Sequence, residues 1–260
     1  MKISASLALL SDLWQAIRTA LLPTLRDICR QPLLLLRPRQ ISRVFMSHLW
    51  IPFGDETDEN ARPVKENLIP PNARGVVLDI GAGYGHTINY LSRDMVTKYI
   101  ALEPNRLMHA EIRARANAAG FTEESDTFQI LPYGAEDVAS IVSALGRPDA
   151  VDTLISVLTL CSIPNPEDTL AALVELVLKP GGQLLFYEHV LSPRDDVAWW
   201  QRFWTPLWSS VFDGCCLDRP SHIYVKRLDL WSSGEVWAKE GEPEEHLFWH
   251  QIGRFVKRSM

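Results

Sequence analysis

The chain has 260 residues, 47% hydrophobic and 22% charged, enough apolar content for a sizeable core and too little charge for a disordered chain. Its formal net charge of −6 hides a split: Lys2, Arg18, Arg26, Arg30, Arg37, Arg39 and Arg43 outnumber Asp12 and Asp27 in residues 1–50, and the remainder is strongly acidic. An acidic body lacks the basic face that a phosphate backbone demands, which excludes a nucleic-acid partner.

Residues 1–70 read as a helical extension preceding the main domain, 71–260. Ile3, Leu7, Leu10, Trp14, Ile17, Leu21, Leu25 and Ile28 recur every three or four residues and predict one apolar helix face, interrupted at Pro23. LLLL follows at 33–36, between Pro32 and Pro38. Two readings stand for this helix: docking on the protein's own body, or peripheral contact with a membrane surface, for which its arginines are suited. The N-terminus lacks a signal-peptide layout, and no run reaches the roughly 18 apolar residues of a spanning helix. The cysteines at 29, 161, 215 and 216 show no C-x-x-C spacing, and no histidine cluster completes a metal site with them. Reduced thiols in a cytoplasmic protein, with no bound metal, are therefore expected.

From residue 74 the pattern turns regular. VVLDI (76–80), KYIALE (98–103), TFQIL (127–131), VDTLISVLTL (151–160) and QLLFYEHV (183–190) read as strands. Helices are expected over Thr87–Arg93, Asn105–Ala119, 136–145 and 167–178, with KPGG (179–182) as a turn. Strand–helix alternation at this spacing predicts an α/β fold, a doubly wound and mostly parallel sheet with right-handed crossovers. WWQRFWTPLWSSVF (199–212) then reads as an aromatic helix broken at Pro206. HIYVKRL (222–228) and HLFWHQIGRFVKR (246–258) read as two further strands, for seven in all, separated by an acidic loop. Residues 74–190 would form a nucleotide-binding half, and 191–260 would complete the sheet and cover a pocket. The sequence carries no signal for oligomeric state.

The stretch LDIGAGYGHT (78–87) decides which nucleotide. A dinucleotide site shows G-x-G-x-x-G, whereas here Gly81, Gly83 and Gly85 alternate behind Asp79 and His86 stands where the third glycine belongs. This D-x-G-x-G-x-G run resembles motif I of class I S-adenosylmethionine-dependent methyltransferases. Glycines let the backbone approach a ligand closely, and Glu103, twenty residues after Gly83 at a strand end, can accept both ribose hydroxyls. GAED (134–137), SVLTL (156–160) and LKPGGQLLF (178–186) resemble the later motifs of that family in order. The resemblance implies S-adenosyl-L-methionine as cofactor, held by Asp79, Gly81, Ala82, Gly83, Gly85, Glu103, Pro104, Gly134, Ala135, Glu136, Ser156 and Val157.

FYEHV (186–190), the Trp-rich helix and FDGCCLDR (212–219) are similar to the membrane-associated thiol methyltransferases of animals. Taken whole, with HLWIPFGDE and EGEPEEHLFWH, the chain is more similar to fungal pathway methyltransferases that act on polyketide-type metabolites. That implies a small-molecule acceptor with an enolic or phenolic hydroxyl, thiol S-methylation being the rival.

Ligands bind beyond the carboxyl ends of the strands in such folds. This makes His189 the candidate base or hydrogen-bond partner of the acceptor, oriented by Glu188, with a structural, hydrogen-bonded histidine as the other reading. Trp200, Trp204 and Trp208 share a helical face. They, Trp200 and Trp204 foremost, either wall an apolar acceptor pocket or pack the core. Trp50, just before the domain, is a candidate lid over the cofactor and a candidate acceptor contact, with core packing as the other reading. Direct transfer needs no covalent intermediate, so the cysteines are not read as nucleophiles.

Overall fold

The run GVVLDI alternates with a period of two. Val77 points into one buried cluster with Tyr99, Ile112 and Tyr187, while Leu78 and Ile80 point into another with Leu154, Leu173 and Phe186. A strand apolar on both faces belongs at the centre of a parallel sheet covered on both sides. A computed structural model describes residues 1–259 and bears this out. Its strands are β1 (Gly75–Ile80), β2 (Val96–Leu102), β3 (Phe128–Leu131), β4 (Val151–Val157), β5 (Leu178–Val190), β6 (Trp231–Ala238) and β7 (Trp249–Lys257). They form one seven-stranded sheet in the order β3-β2-β1-β4-β5-β7-β6. β1 to β5 run parallel, and β7 lies antiparallel between β5 and β6.

The helices are α1 (Ile3–Ser6), α2 (Ala8–Arg30), α3 (Pro38–Leu68), α4 (His109–Ala118), α5 (Val138–Leu145), α6 (Pro166–Leu176), α7 (Asp195–Val211) and α8 (Ser221–Arg227). α3 and α4 cover one face of the sheet, and α5, α6 and α8 cover the other. A third cluster joins Leu9, Ala16 and Ala20 of α2 to Phe45 and Leu49 of α3 and to Val197 and Trp208 of α7.

Several local expectations are corrected. The helix expected over Thr87–Arg93 is one short 3₁₀ turn, His86–Tyr90. HIYVKR is a helix, α8, not a strand: it follows Pro220 and turns Val225 onto the face shared with α6. The sixth strand is instead WSSGEVWA, an exposed and polar edge strand without the apolar alternation that marks an inner one. Its Gly234 lies beneath the Phe255 ring, where a Cβ would come within 2.1 Å of the ring. KPGG does not end a segment but bulges inside β5, between the pairs Val151–Leu178 and Thr153–Gln183. Pro23 and Pro206 interrupt neither α2 nor α7.

The face by which α2 docks also differs from the expected one. Leu9, Ala16, Ala20 and Thr24 are buried, and these mostly small residues let α2 approach α3 closely. The bulkier stripe, Leu7, Leu10, Trp14, Leu21 and Leu25, is exposed; Trp14 is 60% accessible. Among the described residues no helix is long and apolar enough to cross a membrane.

Candidate active site

β1 and β4 are neighbours whose connections leave in opposite directions, which opens a crevice at their carboxyl ends. A cleft of about 1130 Å³ lies there. Its floor is the glycine loop after β1. Gly81 and Gly83 both have positive φ, at 65° and 56°. A Cβ at Gly81 would lie 2.3 Å from Thr159 Cγ2, and one at Gly83 would lie 3.1 Å from Trp50 Nε1. Both left-handed conformation and lack of space therefore demand glycine, and the backbone is left bare towards the cleft.

Glu103 directly follows β2 and faces the same cleft. Its Oε2 accepts the Gly83 N–H at 2.9 Å and its Oε1 accepts the Asn105 N–H at 2.8 Å. Only 6% of the residue is accessible. Burial pushes its pKa up to about 7, against the pull of those two N–H donors. Each carboxylate oxygen keeps a lone pair for a further donor, so the group suits a vicinal diol. Pro104, Gly134, Ala135, Glu136 and Val157 continue the lining. The bare loop and the fork-like acceptor fit an adenosyl cofactor.

The remaining expected cofactor residues stand behind this lining. Asp79 is buried under the loop and accepts the Tyr99 hydroxyl at 2.9 Å, and burial raises its pKa to about 6. Ala82 binds its N–H to the Leu102 carbonyl, and Gly85 gives room for Ile112 of α4. Ser156 donates to Glu188 Oε1 at 2.7 Å, and the Thr159 N–H reaches the same oxygen at 3.0 Å. Glu188 thus braces the loop after β4 rather than orienting a base.

The acceptor side departs further from expectation. His189 is 4% accessible and lies outside the cleft lining, with Nε2 3.4 Å from Cys215 Sγ and Nδ1 without a hydrogen-bond partner. Trp200 and Trp204 also lie outside the lining. They pack against the N-terminal helices, and Trp204 Nε1 donates to the Ser6 carbonyl. Trp50 does line the cleft. It belongs to α3, whose Arg39, Ser42, Arg43 and Met46 form a wall that the sequence did not disclose. Ser162, Ile163, Phe212, Asp213 and Arg219 face it. Only the GCCLDR turn carried a signal for any of these.

α3 is tied to both halves of the cleft. Tyr84 donates to the Ser47 carbonyl at 2.9 Å, and His86 Nε2 meets Asp55 Oδ1 at 2.8 Å, so two residues of the glycine loop hold it. At its other end Ser42 Oγ donates to the Val211 carbonyl and accepts the Asp213 N–H, both at 2.9 Å. Burial raises the Asp213 carboxyl above its ordinary pKa, and Arg43, 3.6 Å away, only partly offsets this.

The signature described as a methyltransferase domain matches residues 54–225, about two-thirds of the chain. The chain belongs to that methyltransferase family. Its cofactor is S-adenosyl-L-methionine, which the glycine loop and Glu103 fit. The methyltransferase is 29% identical over 193 residues to the thiol S-methyltransferase TMT1B of Homo sapiens, covering 74% of this chain and 72% of that one. A shorter match, 44% over 109 residues, joins it to TMT1B of Rattus norvegicus, covering 42% and 44%. Among solved structures, the YcgJ protein from Bacillus subtilis superposes with a TM-score of 0.54 at 15% identity, over 78% of this chain and 99% of that one. An O-methyltransferase family protein from Burkholderia thailandensis gives 0.53 at 16%, over 85% and 59%. At these identities the structural matches establish the fold.

Proposed function

We propose that this methyltransferase methylates a small, largely apolar molecule at an acceptor atom acidic enough to ionise without a general base, in the first place a thiol. The carrying observation is the composition of the cleft. Among the described residues that line it there is no histidine, lysine or cysteine, the acceptor-side carboxylate Asp213 is paired with Arg43, and Arg39 and Arg219 stand on the same side. A guanidinium cannot take a proton, but it stabilises an anion that has already lost one. Thiols, with pKa about 8.5, supply such an anion near neutral pH. The similarity to proteins named thiol S-methyltransferases supports the same reading.

When bound, the cofactor supplies a methyl group on a sulfonium, open to in-line displacement. The chain's residues then hold and align. Glu103 fixes the ribose, the glycine loop carries the rest of the cofactor, and Trp50, Met46 and Phe212 exclude water from the line of attack. An enolic or phenolic hydroxyl of a polyketide-type metabolite is the second reading, because the same arginines would hold an enolate. Incubation with isotope-labelled S-adenosylmethionine and two acceptor panels, one of thiols and one of hydroxy-pyrones and phenols, tests both. Label on sulfur is expected, and label confined to oxygen would replace the thiol by the second reading.

The same reading extends to a peripheral contact of the N-terminal extension with an anionic membrane surface. The exposed stripe of α2 and the exposed Leu33, Leu35 and Leu36 lie beside Arg18, Arg26, Arg30, Arg37 and Arg39, the arrangement of an interfacial helix.

A further inference from the structure

Three soft ligands far apart in the sequence meet in the fold. Cys161 sits in the loop after β4, His189 next to the last residue of β5, and Cys215 in the turn after α7. One donor atom from each lies within 4.8 Å of the other two. All these thiols are free of disulfides. Cys161 and His189 are almost wholly buried. The cofactor site uses none of the three.

The His189 ring is poorly served as a hydrogen-bonding group. Nδ1 has no partner, and Nε2 has only the Cys215 sulfur at 3.4 Å. Buried polar groups are nearly always paired with good donors or acceptors, so an Nε2 whose hydrogen-bond contact is a sulfur asks for an explanation. Zinc bonds of about 2.3 Å to sulfur and about 2.0 Å to nitrogen, at a tetrahedral angle, place the two ligand atoms roughly 3.5 Å apart. The observed separation fits that edge.

We propose that Cys161, His189 and Cys215 are the three protein ligands of a zinc ion. Two thiolates and an imidazole select a thiophilic cation over magnesium or calcium. Two thiolates also neutralise a divalent charge, which a buried site requires. On binding, each cysteine gives its proton to solvent and the ring binds through Nε2, so the metal replaces two protons. Three ligands leave a fourth position, for a water molecule. Ser162 and Gly214, each adjacent to a ligand, line the cleft. The ion therefore cross-links the loop after β4 and the turn after α7, two walls of the acceptor side, through β5. This assignment replaces the sequence expectation of no metal, and it stands whichever acceptor atom is methylated.

The test is elemental analysis of the full-length protein, purified without chelator, together with titration of the metal-free protein by Co²⁺. About one zinc per chain is expected, as is a thiolate-to-cobalt charge-transfer band with the intense visible bands of tetrahedral coordination. Cys215→Ser and Cys161→Ser should each lose both signals while circular dichroism and cofactor binding persist. Zinc-free protein that develops no thiolate band with Co²⁺ would overturn the site. So would a Cys161–Cys215 disulfide in the freshly isolated protein, or full zinc content in the Cys215→Ser variant. The cobalt titration needs no substitution, so a variant that failed to fold would not mask the result.

Discussion

Burial raises the pKa of the Glu103 carboxyl to about 7, so part of it is protonated at neutral pH, while on the proposed reading the ribose diol needs it ionised. Binding must then release a proton. The dissociation constant for the cofactor should fall as pH rises towards about 7, by at most about tenfold per unit, and level off above it. Glu103→Gln should weaken binding by roughly ten- to a hundredfold, the worth of charged hydrogen bonds, and abolish that pH dependence. Calorimetric titration with S-adenosylmethionine at several pH values reads both, and a pH-dependent glutamine variant would dismiss Glu103 as the titrating group. Glu103 was legible because the strand-end acid stands at a fixed distance from the glycines. His189 was misplaced because the strand end tells that a side chain is near the cleft, not which way it points. Its position is even in a strand whose alternation is hidden by burial on both faces.

α3 illustrates how an element can escape a sequence reading. Its 31 residues include Pro52 and Pro63, and its mixed composition gives no apolar stripe to follow. Yet it brings Trp50 over Gly83 and fastens to the glycine loop through Ser47 and Asp55. Trp50→Ala should therefore raise the cofactor dissociation constant by about tenfold, since an aromatic side chain that excludes water contributes roughly 1–2 kcal/mol beyond alanine. A competition binding assay checks this, and unchanged affinity would mean that Trp50 serves only the acceptor or the fold. The five parallel strands, by contrast, were readable because each is a short apolar run bounded by turn residues. α8 was not: HIYVKR alternates in both periods, and packing against α6 decides in favour of the helix. β6 owes its place to the edge of β7 rather than to its own residues.

At the scale of the whole molecule, the N-terminal extension presents apolar side chains that no other described residue of the chain covers. Trp14, Leu21, Leu22 and Leu25 of α2 are exposed, as are Leu33, Leu35 and Leu36, the last at 79%. Co-flotation with vesicles containing phosphatidylserine should recover most of the protein, and less as salt rises, because the arginines contribute through screened attraction. Replacing Leu10, Trp14, Leu21 and Leu25 by serine should reduce recovery at least tenfold while the protein still unfolds cooperatively, at a melting temperature lowered only by the weaker helix propensity of serine, since none of the four is in the core. Equal flotation of wild type and variant would remove the stripe from any role at lipid.

The exposed leucines at 35 and 36 run directly into Pro38 and Arg39 of the cleft wall, and exposed Leu207 precedes Ser209 and Ser210 of the same wall. The mouth of the cleft and the apolar surface thus share a rim. For an enzyme seated that way, the concentration that governs turnover is the number of acceptor molecules per lipid, not per volume of buffer. Diluting a fixed amount of acceptor into more membrane would slow the reaction even though nothing in the water had changed.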